Sequence, residues 1–361
     1  MYSNKKIIMH VVESTATGTL SMLSMLANNQ AEIGHNVVVV YSRREETPLD
    51  LSQYFHPAVS IINIQMTGFK AKLLSFLRLR KVIKSNKPHC LFLHSSFAGF
   101  IGRFAALGIK LSCFYIPHCI SFMRKDISTY KKSVFVLLER IASVKSSLYI
   151  ACSDSEKRNI NKYLPRVDVV TVENAVDVHK WITTSQWTDR ALNVVTVGQI
   201  RYQKDPMRFA SIAKAVLSQT SDLKFIWIGD GEEELKANLI EAGVIVTGWK
   251  KSDEVKELLS KSKYYLSTSL WEGMPVSPIE AMISGCLVVL SDCDGNVDVV
   301  HHGETGMVFH DAESGVRLLL NAINDQATSQ RLANKGSEQS KNKYSAKRYL
   351  EQMESLIGGR A

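Results

Sequence analysis

The sequence predicts an α/β protein made of two consecutive doubly wound, Rossmann-like domains that face a cleft. Short runs rich in Val, Ile and Leu recur along the 361 residues, with helical patterns between several of them. Strands that are buried on both faces of a parallel sheet have this continuous apolar character. The chain is also longer than one hydrophobic core normally supports, which favours two domains.

The apolar runs fall into two series. The first series predicts strands at 6–12, 36–41, 59–64, 89–94, 111–116 and 147–152. The second series begins near residue 192 and comprises LNVVTVG, LKFIWIG, GVIVTG, KYYLSTS and CLVVLS. Residues 177–191 break the periodicity and predict a linker. We therefore expect an N-terminal domain at 1–180, a C-terminal domain at 181–344 and a final helix at 345–361.

Composition and charge narrow the function classes. The sequence is 45% hydrophobic and 22% charged, which is ordinary for a globular protein, and it has no apolar run long enough to predict a membrane-spanning helix. Its formal net charge of +9 favours an anionic partner. No nucleic-acid recognition motif is present, so we expect no nucleic-acid partner. The six cysteines lack metal-ligand spacing, which predicts reduced thiols.

The stretch 264–295 has the densest pattern of the chain. It predicts a strand, a turn at Trp271-Glu272-Gly273, a helix opened by Pro275, and a second buried strand. Glu272 then lies at the carboxyl edge of a parallel sheet, and Glu280 lies in the second turn of the helix. In open α/β sheets, ligands bind at that edge.

This stretch resembles the E-x7-E signature of the family-four retaining glycosyltransferases, in the form E-G-x-P-x4-E-A-M-x2-G. The positions that match are Glu272, Gly273, Pro275, Glu280, Ala281, Met282 and Gly285. The resemblance implies the GT-B architecture, a retaining reaction, and no metal or other cofactor. It also implies that the last helix, with Tyr349, Met353 and Ile357 on one face, packs back on the first domain.

The loop VGQIRYQKDP resembles the segment with which the family holds the donor diphosphate. Gly198 ends the strand and Lys204 matches the family's lysine, but Gln199 stands where the family has an arginine. Arg201 is our candidate to replace that arginine. Fixed cations suit this position because a departing nucleoside diphosphate develops negative charge.

The resemblance assigns further donor-binding residues. Glu272 is expected to contact hydroxyls of the donor sugar, and Glu280 to bind the ribose hydroxyls of the nucleotide. A helix N-terminus is predicted at Gly273, Met274, Pro275 and Val276. Backbone N–H groups at a helix N-terminus suit phosphate or sugar oxygens, and Pro275 is the one residue of the four without an N–H group. Gly229 is expected to shape the pocket. Thr247 and Trp249 lie where the family packs the nucleobase, although Trp249 equally suits a surface aromatic.

Two positions of the first domain match the family more loosely. Gly18 follows the first strand, where the family typically has two glycines. His118, in FYIPHCISF, matches the histidine that lies beside the donor sugar, and we expect Glu272 and His118 to be the catalytic residues. His94 matches a second histidine pattern and is expected to pack beneath the site.

Two basic segments predict how the acceptor is reached. Residues 67–88 and 124–140 interleave Lys and Arg with apolar residues at helical spacing, which indicates basic amphipathic helices. Such a helix either covers the sheet with a solvated basic face or docks on an anionic membrane. The second interpretation suits a polyprenyl-diphosphate-linked acceptor and a cytoplasmic protein held peripherally on the inner face of the cytoplasmic membrane.

These observations predict a metal-independent retaining glycosyltransferase of bacterial surface polysaccharide (O-antigen, capsule or exopolysaccharide) assembly. We expect it to transfer a hexose or N-acetylhexosamine from a UDP-linked donor. Two alternatives remain open at this point. One is a non-catalytic nucleotide-sugar-binding subunit of a glycan assembly complex, and the other is an enzyme of the same fold with different chemistry, such as a nucleotide-sugar epimerase or a glycan phosphorylase.

Overall fold

The computed structural model describes residues 5–15, 17–44, 47–66, 69–220 and 222–360, and the side chains of Thr17, residues 69–73 and Arg360 are outside that description. The start of the predicted basic helix at 67–88 therefore lies partly outside the described residues. The chain forms two compact units. Unit 1 comprises residues 1–174 and 346–361, and unit 2 comprises residues 175–345.

Unit 1 contains a seven-stranded parallel sheet in the order β3-β2-β1-β4-β5-β6-β7. Its strands are β1 (Ile7–Val12), β2 (Asn36–Tyr41), β3 (Ser60–Asn63), β4 (Cys90–His94), β5 (Ser112–Ile116), β6 (Leu148–Ala151) and β7 (Val169–Thr171). The first six agree with the predicted runs to within about two residues. β7 was not predicted, because its three residues are only half-buried and form too short an apolar pattern.

Helices connect the strands of unit 1 and cover its sheet. They are α1 (Thr17–Glu32), α2 (Phe69–Asn86), α3 (Ser96–Ala105), α4 (Thr129–Ala142) and α5 (Asp154–Tyr163). The strand order reverses between β1 and β4, so the sheet is doubly wound. The core lies on both faces of the sheet; one cluster includes Met9, Val11, Leu91 and Leu93.

Unit 2 contains a six-stranded parallel sheet in the order β10-β9-β8-β11-β12-β13. Its strands are β8 (Ala191–Val197), β9 (Lys224–Ile228), β10 (Ile245–Val246), β11 (Ser262–Ser267), β12 (Leu287–Ser291) and β13 (Met307–Phe309). Its helices are α6 (Val178–Trp181), α7 (Pro206–Leu217), α8 (Glu233–Glu241), α9 (Ser252–Ser260), α10 (Val276–Ile283), α11 (Asn296–Val299), α12 (Ala312–Asn324) and α13 (Gln326–Lys343). The order reverses between β8 and β11, which makes this the topological switch point of unit 2.

The chain passes between the units at two neighbouring points. Val176 forms a backbone bridge with Ser345, and its N–H donates to the carbonyl of Tyr344 at 2.9 Å. The predicted linker at 177–191 is therefore part of unit 2, where it forms α6 and one turn of 3-10 helix.

The last helix, α14 (Ala346–Arg360), belongs to unit 1. Its apolar face, formed by Tyr349, Met353 and Ile357, is fully buried, as the helical spacing predicts. The Glu354 carboxylate lies 3.4 Å from His35 Nε2, and Lys6 Nζ donates to the carbonyl of Ile357 at 3.3 Å. Among the described residues, no helix has the length and hydropathy needed to cross a membrane.

Candidate functional site

The loop that follows β8 places the predicted cation at the switch point of unit 2. Thr268, just beyond β11, fixes this loop by donating its hydroxyl to the carbonyls of Lys204 and Asp205 at 2.8 and 2.9 Å. Asp205 has a left-handed φ of 48° and caps α7 through the N–H of Arg208. The Lys204 side chain is thereby directed toward the end of β11.

Lys204 forms an ion pair with Glu272. Its Nζ lies 2.7 Å from Glu272 Oε1, and both side chains are largely buried. Ser269 Oγ donates to the same oxygen at 2.8 Å, and Gln203 Nε2 donates to Oε2 at 3.3 Å. Because both oxygens accept hydrogen bonds, the Glu272 carboxylate has a fixed position. Such a carboxylate can accept hydrogen bonds from hydroxyl groups and stabilise a nearby positive charge.

The backbone around Glu272 is held by the end of β12. The backbone N–H of Glu272 donates to the carbonyl of Asp294 at 3.0 Å. A Cβ on Gly295, where φ is 86°, would stand 2.7 Å from the Glu272 carbonyl, so only glycine permits this approach. Ser291 Oγ donates to the carbonyl of Ser269 at 2.6 Å, and Asn296 Nδ2 donates to Ser291 Oγ at 3.0 Å. A buried network of neutral polar groups thus supports the charged pair.

The ends of β8 and β9 approach each other through glycines. A Cβ on Gly229 would stand 2.1 Å from the Gly198 carbonyl oxygen, which also accepts a hydrogen bond from Trp227 Nε1 at 2.8 Å. A Cβ on Gly231 would meet the Ile200 carbonyl at 2.0 Å. Gly198 itself, with φ of 153°, lies beneath the Lys204 side chain. These positions require glycine for protein packing alone.

Gln199 and Arg201 are exposed, so the two polar residues that flank Ile200 on this loop point to solvent. Arg201 is the N-terminal flank of the one-turn helix Tyr202–Lys204 and does not cap it with its side chain. The structure leaves both side chains available to a ligand and gives neither one the fixed ion pair of Lys204.

Helix α10 begins one residue later than the sequence predicts, because Pro275 is its N-cap and Val276 its first residue. Gly273, Met274 and Pro275 are buried and Val276 is half-buried. The predicted stop at Gly285 is confirmed, since Ser284 is the C-cap and Gly285 has φ of 82°.

Glu280 lies in the second turn of α10 and is partly exposed. Desolvation by the surrounding protein raises the pKa of its carboxyl to about 7, against the opposing effect of the Lys180 charge. Strongly shifted carboxyls occur often at functional sites, so Glu280 is a candidate ligand-binding residue.

Thr247 and Trp249 lie beyond β10. Thr247 donates its hydroxyl to the carbonyl of Gly248 at 3.0 Å, and its N–H donates to the carbonyl of Trp227. The Trp249 side chain is 59% exposed, so it is a surface aromatic in this structure and is accessible to a ligand.

In unit 1, His118 lies in the loop after β5 with φ of 54°. The buried Glu156 fixes this loop, because its Oε1 accepts from the N–H groups of Cys119 and Ile120 at 2.9 and 2.7 Å. The Glu156 Oε2 accepts from the N–H of Cys152 at 2.8 Å. The His118 Nε2 lies 3.0 Å from His94 Nδ1, so His94 does pack directly against it.

Gly18 lies in the first turn of α1, and a Cβ placed there would meet open space. Near it, Thr15 Oγ1 and Thr47 Oγ1 are 2.8 Å apart, and Arg44 forms an ion pair with Glu13. Unlike Gly229, Gly18 is not required by the packing of the protein.

Three contacts of these sites were not predicted from the sequence, namely those of Gln203, Ser269 and Glu156. Gln203 and Ser269 adjoin predicted residues in the chain, and a polar residue next to a predicted site is a weak signal. Glu156 is 38 residues from His118 in the sequence, and nothing in its local pattern points to that loop.

Comparison with known proteins defines the class. Residues 18–180 match the sequence profile of Glycosyltransferase Family 4, and residues 179–339 match that of Glycosyl transferases group 1. HepE from Anabaena, solved in complex with UDP and glucose, superposes with a TM-score of 0.83 at 16% identity, covering 98% of this chain and 100% of that chain. The chain is therefore a glycosyltransferase of the GT-B fold, whose two Rossmann-like domains are the two units described above.

Two bacterial proteins are similar to this chain over most of its length. An uncharacterized 41.2 kDa protein in the cps region of Klebsiella pneumoniae is 27% identical over 331 residues, covering 86% of this chain and 88% of that protein. The UDP-Gal:alpha-D-GlcNAc-diphosphoundecaprenol alpha-1,3-galactosyltransferase of Escherichia coli is 26% identical over 278 residues, covering 70% of each chain. By the two profile matches, residues 18–180 belong to Glycosyltransferase Family 4 and residues 179–339 to Glycosyl transferases group 1.

Proposed function

We propose that this glycosyltransferase transfers a sugar from a UDP-linked donor to a polyprenyl-diphosphate-linked glycan, with retention of the anomeric configuration. The Lys204–Glu272 pair at the switch point of unit 2 is the observation that supports this most. It offers a fixed cation to a diphosphate and a fixed carboxylate to sugar hydroxyls. The related E. coli enzyme has a name that specifies UDP-Gal and a diphosphoundecaprenol-linked acceptor.

The donor is proposed to lie along the carboxyl edge of the unit 2 sheet. Lys204 binds the diphosphate, and Arg201 approaches it in place of the arginine absent at Gln199. The N–H groups at the start of α10 bind phosphate or sugar oxygens. Glu280 accepts hydrogen bonds from the two ribose hydroxyls, which favours its ionised form. The nucleobase lies near Thr247 and Trp249.

The proposed reaction is a front-face displacement. The bond between the anomeric carbon and the diphosphate oxygen breaks, and the bond between that carbon and the acceptor hydroxyl oxygen forms on the same face. The hydroxyl proton passes to the departing diphosphate oxygen. Lys204 stabilises the charge on the diphosphate, while Glu272 holds hydroxyls of the donor sugar. His118 is the proposed sugar-binding residue of unit 1. The Glu272 carboxylate is engaged by Lys204 and Ser269, which favours this role over that of a nucleophile.

An exposed surface of unit 1 supports the proposal that the acceptor is linked to a membrane lipid. Helix α4 exposes one apolar stripe, formed by Tyr130, Val134, Leu137, Leu138 and Ile141, and Val144 is exposed just beyond the end of the helix. Tyr130 is 78% exposed and Leu137 is 56% exposed. Helix α3 packs against both α4 and α2, and α2 exposes Arg78, Lys81 and Lys84 together with Leu77.

An exposed apolar stripe beside basic side chains matches an anionic lipid surface, where the apolar side chains insert and the cations bind headgroups. We therefore propose peripheral binding at the inner face of the cytoplasmic membrane through α2 and α4. Co-sedimentation with anionic vesicles should be weakened by salt and by the pair Leu137→Ser and Ile141→Ser. The matched control is Ile240→Ser, an exposed apolar residue of α8 in unit 2. Equal binding by all three proteins would contradict this surface.

The donor assignment is tested by calorimetry with UDP and by transfer assays with a polyprenyl-diphosphate-linked saccharide. We expect Lys204→Gln to weaken UDP binding strongly and Arg201→Gln to weaken it less. An unchanged affinity in Arg201→Gln would remove Arg201 from the site. UDP binding without any transfer or donor hydrolysis by the unmodified protein would instead favour a non-catalytic nucleotide-sugar-binding subunit.

A further inference from the structure

Three histidines and one glutamine of unit 1 form a continuous hydrogen-bonded chain. Gln30, on α1, has Oε1 2.8 Å from His10 Nε2. His10 Nδ1 is 3.1 Å from His94 Nε2, and His94 Nδ1 is 3.0 Å from His118 Nε2. The neighbouring strands β1 and β4 hold His10 and His94, and the loop after β5 holds His118. The chain leads from the interior to the proposed sugar-binding histidine.

The rings are also stacked in a way that fixes their planes. His94 and His118 have centroids 5.3 Å apart at an interplanar angle of 15°. His10 stacks on Phe92 with centroids 5.0 Å apart. Gln30, His10 and His94 are buried, so the hydrogen bonds in the inner part of the chain are made to protein groups and not to bulk water. His118 is half-buried and forms the outer end of the chain.

All three rings are neutral near pH 7. Burial lowers the pKa of His10 and of His118 to about 4, and it lowers the pKa of His94 further, with the neighbouring histidines adding to that effect. A neutral imidazole has one N–H donor and one acceptor nitrogen. Each ring in the chain must therefore donate on one side and accept on the other.

The direction of the chain follows from its inner end. With the Gln30 amide oriented as in the structure, Oε1 faces His10 as an acceptor, so His10 donates through Nε2 and accepts through Nδ1. His94 then donates through Nε2 and accepts through Nδ1, and His118 donates through Nε2. We propose that Gln30, His10 and His94 are positioning residues that hold His118 in the Nε2–H tautomer, with Nδ1 as a hydrogen-bond acceptor.

This tautomer defines what His118 binds. Among the described residues, no hydrogen bond occupies His118 Nδ1. A lone pair at that atom accepts a hydrogen bond from a hydroxyl group and repels a carbonyl or phosphate oxygen. Resting on the proposed function, we infer that the partner is a sugar hydroxyl. The neutrality of all three rings also argues against storage of a proton in the chain, since a charged imidazolium would be buried.

The tautomer is measured directly by long-range proton–nitrogen NMR of protein labelled with ring-15N histidine. The His118 signals are assigned by their loss in His118→Gln. We expect Nε2 protonated and Nδ1 unprotonated in the unmodified protein. Gln30→Met removes the acceptor with little change of shape and should give a mixture of His118 tautomers. Gln30→Glu keeps an acceptor at the inner end and should retain the original tautomer, while the signals of His56 remain unchanged in both variants.

Two NMR results would overturn the proposal. One is a protonated His118 Nδ1 in the unmodified protein, and the other is an unchanged tautomer in Gln30→Met. Thermal melting shows whether the variants fold. If Gln30→Met does not fold, His94→Gln interrupts the same hydrogen-bonded chain at another position. These measurements need no substrate, so they decide the tautomer even if the proposed transfer reaction fails.

A kinetic measurement separates this role from simple packing. In the transfer assay we expect Gln30→Met to lower kcat about tenfold, which corresponds to one misdirected hydrogen bond. The KM for the polyprenyl-linked acceptor should not change, and Gln30→Glu should restore most of the rate. An equal loss in both variants would indicate a packing role and would contradict the proposal.

Discussion

The proposed sugar-binding residues of the two units are held by opposite kinds of polar contact. In unit 2, Glu272 is held by the ammonium group of Lys204 at 2.7 Å. In unit 1, His118 is held by a row of neutral rings that ends at Gln30. A diphosphate brings negative charge and requires a fixed cation, whereas a sugar hydroxyl requires only a correctly directed lone pair.

The two regions also differ in how far apart their residues lie in the chain. Glu272, Ser269 and the start of α10 come from one strand–loop–helix segment, joined by a single other loop that contains Lys204. The histidine chain combines residues from β1, α1, β4 and the loop after β5. Local motifs therefore identify the first region, and only packing creates the second.

The largest expected effect tests the charged contact. Glu272→Gln should lower kcat/KM for transfer about 100- to 1000-fold, because the neutral amide cannot hold Lys204 and the sugar hydroxyls in the same way. Lys204→Gln should have a similar effect, and the double variant should lose less than the sum, because the two groups form one contact. Initial rates with the UDP-linked donor measure all three.

The control for this prediction is Glu304→Gln, which breaks the exposed ion pair of the same unit with Lys335 at 2.9 Å. We expect its rate to equal that of the unmodified protein, since exposed pairs contribute little. If Glu272→Gln kept the full rate, the proposed role of the charged pair would be wrong.

The same substitution in both units sharpens the comparison of their glycines. Gly229→Ala should destabilise the protein by about 3 kcal/mol, because its Cβ would stand 2.1 Å from the Gly198 carbonyl at a φ of 147°. Gly18→Ala should stabilise it by about 0.5 kcal/mol, because its Cβ meets open space in a helix. Denaturant unfolding measures both values.

Activity completes that test. If the space beside Gly18 is where a ligand approaches, Gly18→Ala should reduce transfer although the protein is slightly more stable than before. Full activity in Gly18→Ala would remove Gly18 from the proposed donor-binding residues. The glycines that remain in that proposal would then all lie in unit 2.

A pH-dependent effect on stability concerns the partly exposed carboxyl of Glu280. Its pKa is raised to about 7 in the folded protein from 4.5, so its ionisation is disfavoured by folding. Stability from this group is present at low pH and is lost as pH rises from 4.5 through 7. After a discount for partial exposure, Glu280→Gln should stabilise the protein by about 2 kcal/mol at pH 8 and by less than about 1 kcal/mol at pH 5.

The same variant should bind UDP more weakly, because an amide oxygen accepts less strongly than a carboxylate from the ribose hydroxyls. Denaturant unfolding at the two pH values and calorimetry with UDP measure the two effects. A destabilised Glu280→Gln with unchanged UDP affinity would indicate a structural role for Glu280.

Most of the sheet architecture could be predicted because buried parallel strands are marked by local apolar runs such as NVVVVY and LVVLS. The point where the chain enters unit 2 could not be predicted in the same way. The sequence favours a linker at 177–191, but the bridge from Val176 to Ser345 joins residues that are far apart in the chain. Long-range pairing of two residues leaves no periodic signal in either segment.

The sequence by itself determined the two Rossmann-like domains and the position of Glu272 and Glu280 on one strand–loop–helix unit, because these follow from local periodicity and turn chemistry. Only the tertiary structure decided which groups surround them. It paired Lys204 with Glu272, raised the pKa of Glu280 by burial, and aligned Gln30, His10, His94 and His118. Those contacts depend on distances between strands and helices that are remote in sequence, and no local pattern encodes such distances.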